Sequence, residues 1–164
     1  MLITSEELVL FLTIVINKML KRGESMELKF YKQQICEVLE KYYREEEDFI
    51  GKVSICATTG WVGYGLSEEI GCILDMKIAG ELDIMGQRIP GTINITTKEV
   101  ENAFHYYFGK EGYSVSNIQF NSGIRESCEG YGMAEHTVKK PYFDDITVTV
   151  KNKEKKIGGI LYEN

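Results

Sequence analysis

Apolar residues recur along this chain with strand or helical period, and the switches between the two mark out its elements. Met76 and Ile78 fall in phase with Gly80, Leu82 and Ile84, while Lys77, Glu81 and Asp83 take the opposite phase. That alternation predicts a half-buried strand. Met85-Gly86-Gln87 then turns the chain. Ile89, Gly91, Ile93 and Ile95 form a return strand, which Pro90 confines to an edge or a bulge because proline cannot donate to a ladder. Before this hairpin, Val53, Ile55 and Ala57 alternate with Ser54, Cys56 and Thr58. Near the end, Ile146, Val148 and Val150 alternate with Thr147 and Thr149. Residues 113–120 read as a strand of imperfect alternation, and 157–162 as a short last strand.

Steps of four and three predict helices elsewhere. Tyr31, Ile35, Val38, Leu39 and Tyr42 form the apolar stripe of a helix over about 28–47. Thr96 and Glu99 form a capping box for another, with Val100, Ala103, Phe104, Tyr107 and Phe108 on one face and Gly109 as its stop. At the N-terminus, 8–16 is apolar except for Thr13. Thr4 and Glu7 fit a cap, and Lys18, Lys21 and Arg22 fall in the last turn before Gly23. This run is too short to span a bilayer and has the wrong flanks for a signal peptide. The resulting order predicts an α+β fold: a mostly antiparallel sheet of five to six strands with two to three helices packed on one face. Residues 26–164 form a single domain, with 1–25 as a separate apolar helix. No internal repeat and no Pro-, Gly- or Ser-rich linker is found.

Two readings of 1–25 stand side by side. A helix apolar on nearly every side must be buried, either in its own core or against a second copy in a homodimer. Alternatively, Lys21-Arg22-Gly23-Glu24 back-translates readily to a purine-rich ribosome-binding site, which makes Met26 a competing start and 1–25 a mis-assigned leader.

Two stretches fit neither period. Residues 59–65, Thr-Gly-Trp-Val-Gly-Tyr-Gly, form a glycine–aromatic loop without the lysine of a P-loop or the spacing of a dinucleotide fingerprint. Residues 121–141 form a long polar loop joining the last two main strands into a wide hairpin. A run of that length is functional or disordered when real. It holds Arg125, Glu126, Cys128, Glu129, Tyr131, Glu135, His136, Lys139 and Lys140.

The net charge of −6 disfavours free nucleic acid as a partner, since phosphate binding needs clustered Lys and Arg. A basic protein, or a protein whose groove holds nucleic acid, is the better electrostatic match. The four cysteines show neither a C-x-x-C pair nor zinc-ligand spacing with the two histidines. They read as free thiols of a cytoplasmic protein. No cofactor or metal is expected, nor any membrane association.

Arg44-Glu45-Glu46-Glu47-Asp48 closes the first core helix with negative charge that opposes its macrodipole. Glu45, Glu46, Glu47 and Asp48 are therefore read as an acidic contact patch rather than as helix support. Trp61 and Tyr64 are candidate interface anchors. Arg125, Glu126, Glu129, Tyr131, Glu135 and His136 are the candidate contacts of the long loop. The Glu135–His136 pair suits acid–base work, with Cys128 the nearest candidate nucleophile. Lys139, Lys140, Lys151, Lys153, Lys155 and Lys156 make the last third locally basic, and strand pairing would gather several of them at one end of the sheet.

The order helix, three strands, helix, strand is similar to the core of metal-dependent restriction-type nucleases. Those enzymes place an Asp on the second strand and an acidic-x-Lys pair on the third. Asp75, Glu81 or Asp83 would serve here, but 88–96 carries neither carboxylate nor lysine, and Asp75-Met76-Lys77 comes too early. The order also resembles the double-stranded RNA-binding domain, whose second helix opens on lysines. Here it opens Thr97-Lys98-Glu99.

Glu111-Gly112-Tyr113-Ser114-Val115 with Phe120, and Pro141-Tyr142-Phe143-Asp144-Asp145-Ile146-Thr147-Val148, resemble segments of small proteins of Gram-positive mobile elements. Some proteins of that size and setting are anti-CRISPR inhibitors. The resemblance covers about 98–151 and carries no catalytic residue. It implies a compact acidic binder that blocks a host nucleoprotein or nuclease. The expected function is thus a non-catalytic inhibitory protein, with a small metal-dependent nuclease and a homodimeric interaction protein as alternatives.

Overall fold

The computed structural model describes residues 24–67, 69–81 and 91–153. Strand β1 (Ser25–Tyr31) leads into helix α1 (Lys32–Glu46). Strands β2 (Gly51–Val62), β3 (Glu69–Gly80) and β4 (Thr92–Asn94) follow, then helix α2 (Thr97–Lys110), and finally the long strands β5 (Tyr113–Glu129) and β6 (His136–Asn152). Every pairing is antiparallel. The fold is α+β, but the six strands among the described residues form two three-stranded sheets, β1-β6-β5 and β2-β3-β4, rather than one. The expected helix in 1–25, with its dimerisation role, falls almost wholly outside the described residues. So do Asp83, the turn at 85–87, Pro90, Lys155, Lys156 and 157–162.

Several predicted boundaries change, and the strand read from Met76 already begins at Glu69. Residues 25–31 form a strand, not the first turns of a helix. Met26, Leu28 and Phe30 point inward and Glu27, Lys29 and Tyr31 outward, a period of two in Met-Glu-Leu-Lys-Phe-Tyr. The following helix buries Ile35, Val38, Leu39 and Tyr43, so Tyr31 drops out of the stripe and Tyr43 takes the place given to Tyr42. Residues 59–62 continue strand β2. The expected loop over 121–141 is strand except for 130–135: β5 runs on to Glu129 and β6 starts at His136.

One core joins both helices and both sheets. Phe30 packs edge-on against Phe104 and Phe108, with ring centroids 4.9 and 5.9 Å away. Ile35, Leu39, Ile55, Ile78, Val100, Ile146, Val148 and Val150 close around them, all 1% exposed or less. Among the described residues, no helix is long and apolar enough to cross a membrane.

Helix α2 starts where Thr96 holds extended backbone and its Oγ1 accepts from the Glu99 N–H at 3.3 Å. Glu99 reaches back to accept from the Thr96 N–H at 2.7 Å, completing the predicted capping box. Its end lies slightly beyond the predicted stop at Gly109. Gly112 takes the left-handed turn (φ 84°) and its N–H donates to the Gly109 carbonyl at 3.3 Å, which also accepts from the Lys153 ammonium at 3.4 Å. Thr96→Ala should cost about 1 kcal/mol in chemical denaturation.

The Thr96 N–H also holds the Glu99 carboxyl below its ordinary value near 4.5. A carboxyl depressed by folding adds stability that is complete above the ordinary value. That stability is lost as pH falls through the lower folded value. Glu99→Gln should therefore flatten the fall in stability below pH 4.5, measured by denaturation across pH 2–6.

Candidate functional site

Both long hairpins outrun the core. In β2–β3 the buried pair Ile55–Met76 is followed on the same face by Ala57–Leu74, Thr59–Cys72 and Trp61–Ile70. Exposure grows along this row until Trp61 is 70% exposed. The opposite face carries the cross-strand pair Gly60–Gly71. A Cβ on Gly60 would lie 2.2 Å from the Ile73 side chain, and one on Gly71 would lie 2.4 Å from Val62. The two glycines thus make a notch that Ile73 and Val62 fill, so the end of this hairpin is apolar on both faces.

The β5–β6 hairpin leaves the core at a polar node. There the Asn121 amide donates to the buried Asp145 carboxylate and to Thr147 Oγ1. A bulge beside Asn121 shifts the register, and a ribbon pairing Ser122 with Phe143 through Glu129 with His136 runs outward. The Tyr142 ring lies across Gly123, where a Cβ would come within 3.0 Å of its hydroxyl. The Arg125 guanidinium stacks on that ring at 3.9 Å and pairs with Asp144. Glu129 pairs with Lys140, and Glu126 stands opposite Lys139. The charges read as a loop surface therefore form cross-strand ladders that hold a ribbon together.

Cys72 Sγ donates to the Tyr142 carbonyl at 3.5 Å, so the two hairpins leave the core side by side as far as this contact. All four cysteines are free thiols.

Each hairpin closes through six residues. Between the paired ends the first reads Gly63-Tyr64-Gly65-Leu66-Ser67-Glu68, its Glu68 outside the described residues, and the second Gly130-Tyr131-Gly132-Met133-Ala134-Glu135. Both read Gly-Tyr-Gly, then Leu or Met, then Ser or Ala, then Glu. Contrary to the expectation of no internal repeat, the chain contains one. It is too short to register as a repeated element, and only the shared hairpin geometry aligns it.

The backbones match as well. Gly63 and Gly130 have φ of 107° and 105°, and Gly65 and Gly132 have φ of 62° and 60°. Both loops carry a turn of 3₁₀ helix, Gly65–Ser67 and Gly132–Ala134. Tyr64 and Tyr131 are 94% and 95% exposed, and Leu66 and Met133 are fully exposed. Left-handed glycines on either side of each tyrosine lift it to the apex, a conformation that L side chains adopt only at a cost. These apices are the candidate site.

The remaining predicted contacts disperse. Glu45 accepts from Lys110 and, at 3.1 Å, from the Tyr106 hydroxyl, and Lys110 lies over the Tyr106 ring. The Lys110 ammonium holds the Glu45 carboxyl below its usual range. Glu45 therefore ties α1 to the end of α2. Glu46 and Glu47 are exposed, and Asp48 occupies a left-handed turn (φ 49°) that lets the Phe49 N–H bond back to the Tyr43 carbonyl at 2.9 Å.

His136 opens β6 with Nδ1 3.3 Å from the Ala134 carbonyl. It shares a ribbon face with Glu129, while Cys128 and Thr137 occupy the other, so Cys128 and His136 do not form a nucleophile–base pair. Glu135 is exposed and ends the loop. Lys139 and Lys140 lie near the ribbon tip, while Lys151 lies near the far end of β6 with Lys153 just beyond it, so only the latter two of these four share an end of the sheet. Asp75 pairs with Lys77 at 2.9 Å. Among the described residues, no three His, Cys, Asp or Glu side chains converge to hold a metal. Compared with known proteins, the chain matches no family model, no curated protein and no solved structure.

Proposed function

We propose that this is a non-catalytic binding protein that docks its two hairpin tips on a protein or nucleoprotein partner. Its class would be the small cytoplasmic inhibitor of a mobile element, directed against a host defence nuclease. The repeated Gly-Tyr-Gly tip carries this reading. Two tyrosines, a leucine and a methionine stand almost wholly in water, and none belongs to the core. Large exposed apolar groups cost solubility and contribute nothing to folding unless something covers them. Tyrosine is, with tryptophan and arginine, enriched among interface anchors, because it buries a large rigid ring and keeps a polar end. The likeness of 98–151 to mobile-element proteins supports the inhibitor class and not the identity of the target.

The test is a variant with Tyr64, Leu66, Tyr131 and Met133 all changed to Ser. Two anchor tyrosines at roughly 2 kcal/mol each predict about a thousandfold loss of partner affinity. The thermal midpoint should not move, since these side chains pack on nothing inside the fold. Full-strength binding by this variant would refute the tip reading. Magnesium-dependent breakdown of RNA or DNA by the purified protein would replace a binder with an enzyme.

A further inference from the structure

The two tips belong to different sheets, and the strands that carry them share no sequence pattern. Folding does not require them to be alike. A two-residue turn closes a hairpin at least as well as a six-residue loop with two left-handed glycines. Yet the loops keep Gly, Tyr, Gly and Glu at the same four places, vary only between Leu66 and Met133 and between Ser67 and Ala134, and match in backbone to within about two degrees at both glycines.

Resting on the docking reading above, we infer that the partner is a homo-oligomeric protein that presents two copies of one pocket, and that each tip fills one copy. Unrelated pockets on one partner would call for unrelated tips. A bilayer would accept any apolar side chains in any order. A repeated Gly-Tyr-Gly-Leu/Met asks for a shaped socket with an apolar floor for the ring and the aliphatic group.

The hairpins start together at the Cys72–Tyr142 contact. From there β3 continues for three residues to Glu69 and β6 for six to His136. At about 3.3 Å per residue, the second tip reaches roughly 10 Å further along its strand than the first. Both tips ride on one body, so the second docking step is intramolecular.

The experiment uses the full-length chain as tagged bait in a clarified lysate of the cells in which it acts. Wild type is compared with Tyr64→Ser, Tyr131→Ser and the Tyr64→Ser/Tyr131→Ser double variant, and the thermal midpoint of each is recorded. The captured complex is weighed by native mass spectrometry, and phosphatidylcholine vesicles serve as a parallel probe. Each single variant should lose roughly thirtyfold in apparent affinity, the two losses agreeing within about threefold. The double variant should lose capture altogether. The complex should contain one bait per two identical partner subunits, and Leu66→Met/Ser67→Ala, which makes the two loops identical, should bind as wild type does.

The inference is overturned if only one tyrosine matters, if the complex pairs one bait with one monomeric partner, or if vesicles retain the protein as well as the lysate component does. Those outcomes leave tip docking itself standing. Capture of nothing by wild type, or undiminished capture by the double variant, removes the docking reading as well.

Discussion

Phe104→Ala should lower the free energy of unfolding by about 3–5 kcal/mol, the range for deleting a fully buried ring. Phe104 is 0% exposed, lies on α2 and meets Phe30 of β1 edge-on. Phe108 of the same helix stacks beside it at 6.5 Å. The void would open where α2 meets the β1-β6-β5 sheet, and neither neighbouring ring can collapse into it without losing its own contacts. A total stability of 5–15 kcal/mol is ordinary for a domain, so this one change removes a large part of it. Urea denaturation followed by circular dichroism measures it directly, and a loss below about 1 kcal/mol would mean that the core is not built around this ring.

Gly130→Ala should have the second large effect, and its character should differ. Gly130 holds φ at 105°, and an added Cβ would stand 2.4 Å from the Ala134 carbonyl oxygen and 3.0 Å from its carbon. Those are backbone atoms, so nothing flexible can yield. The change should cost about 2–3 kcal/mol, spent on the loop and not on the core. Amide hydrogen exchange should quicken across 127–138 while amides of Val148, Phe104 and Leu39 keep their rates. Binding should fall as far as in Tyr131→Ser, because the apex loses its shape. Gly132→Ala serves as the control. Its φ is 60° with no atom within 4 Å of the added Cβ, so only about 1 kcal/mol of left-handed strain applies. Equal effects from the two substitutions would show that the loop is not held in this conformation.

The legible parts of this fold are those where one face is buried. The alternation of Val53, Ile55 and Ala57, that of Ile146, Val148 and Val150, and the box at Thr96 and Glu99 all identified their elements, because burial or an N-terminal cap imposes a fixed residue type at a fixed spacing. Strand β1 carried the same signal in Met26, Leu28 and Phe30, but Tyr31 in step with Ile35 drew it into the helix that follows. The ribbon from Ser122 to Phe143 was illegible for a physical reason. Neither face is buried beyond Phe143, so neither needs apolar residues, and cross-strand pairs such as Glu129–Lys140 stand where a hydrophobic rhythm would have shown. Its glycines and charges looked like a loop. Trp61 and Tyr64 were singled out by residue type, as was Tyr131 by its place in that stretch. Their relation was missed: a match of six residues acquires meaning only when the register shows both copies closing a hairpin.

None of the four apical side chains contributes to the core, and each tip is displaced from it by a run of paired strand. Selection for folding therefore hardly constrains what the apices carry, provided the glycines that shape them stay. Leu66 stands where the other loop has Met133, and Ser67 where it has Ala134, so the two loops already differ at two of their six places. On the docking proposal, such a chain can exchange one bulky group for another at either summit to follow a changing target while its body remains the same.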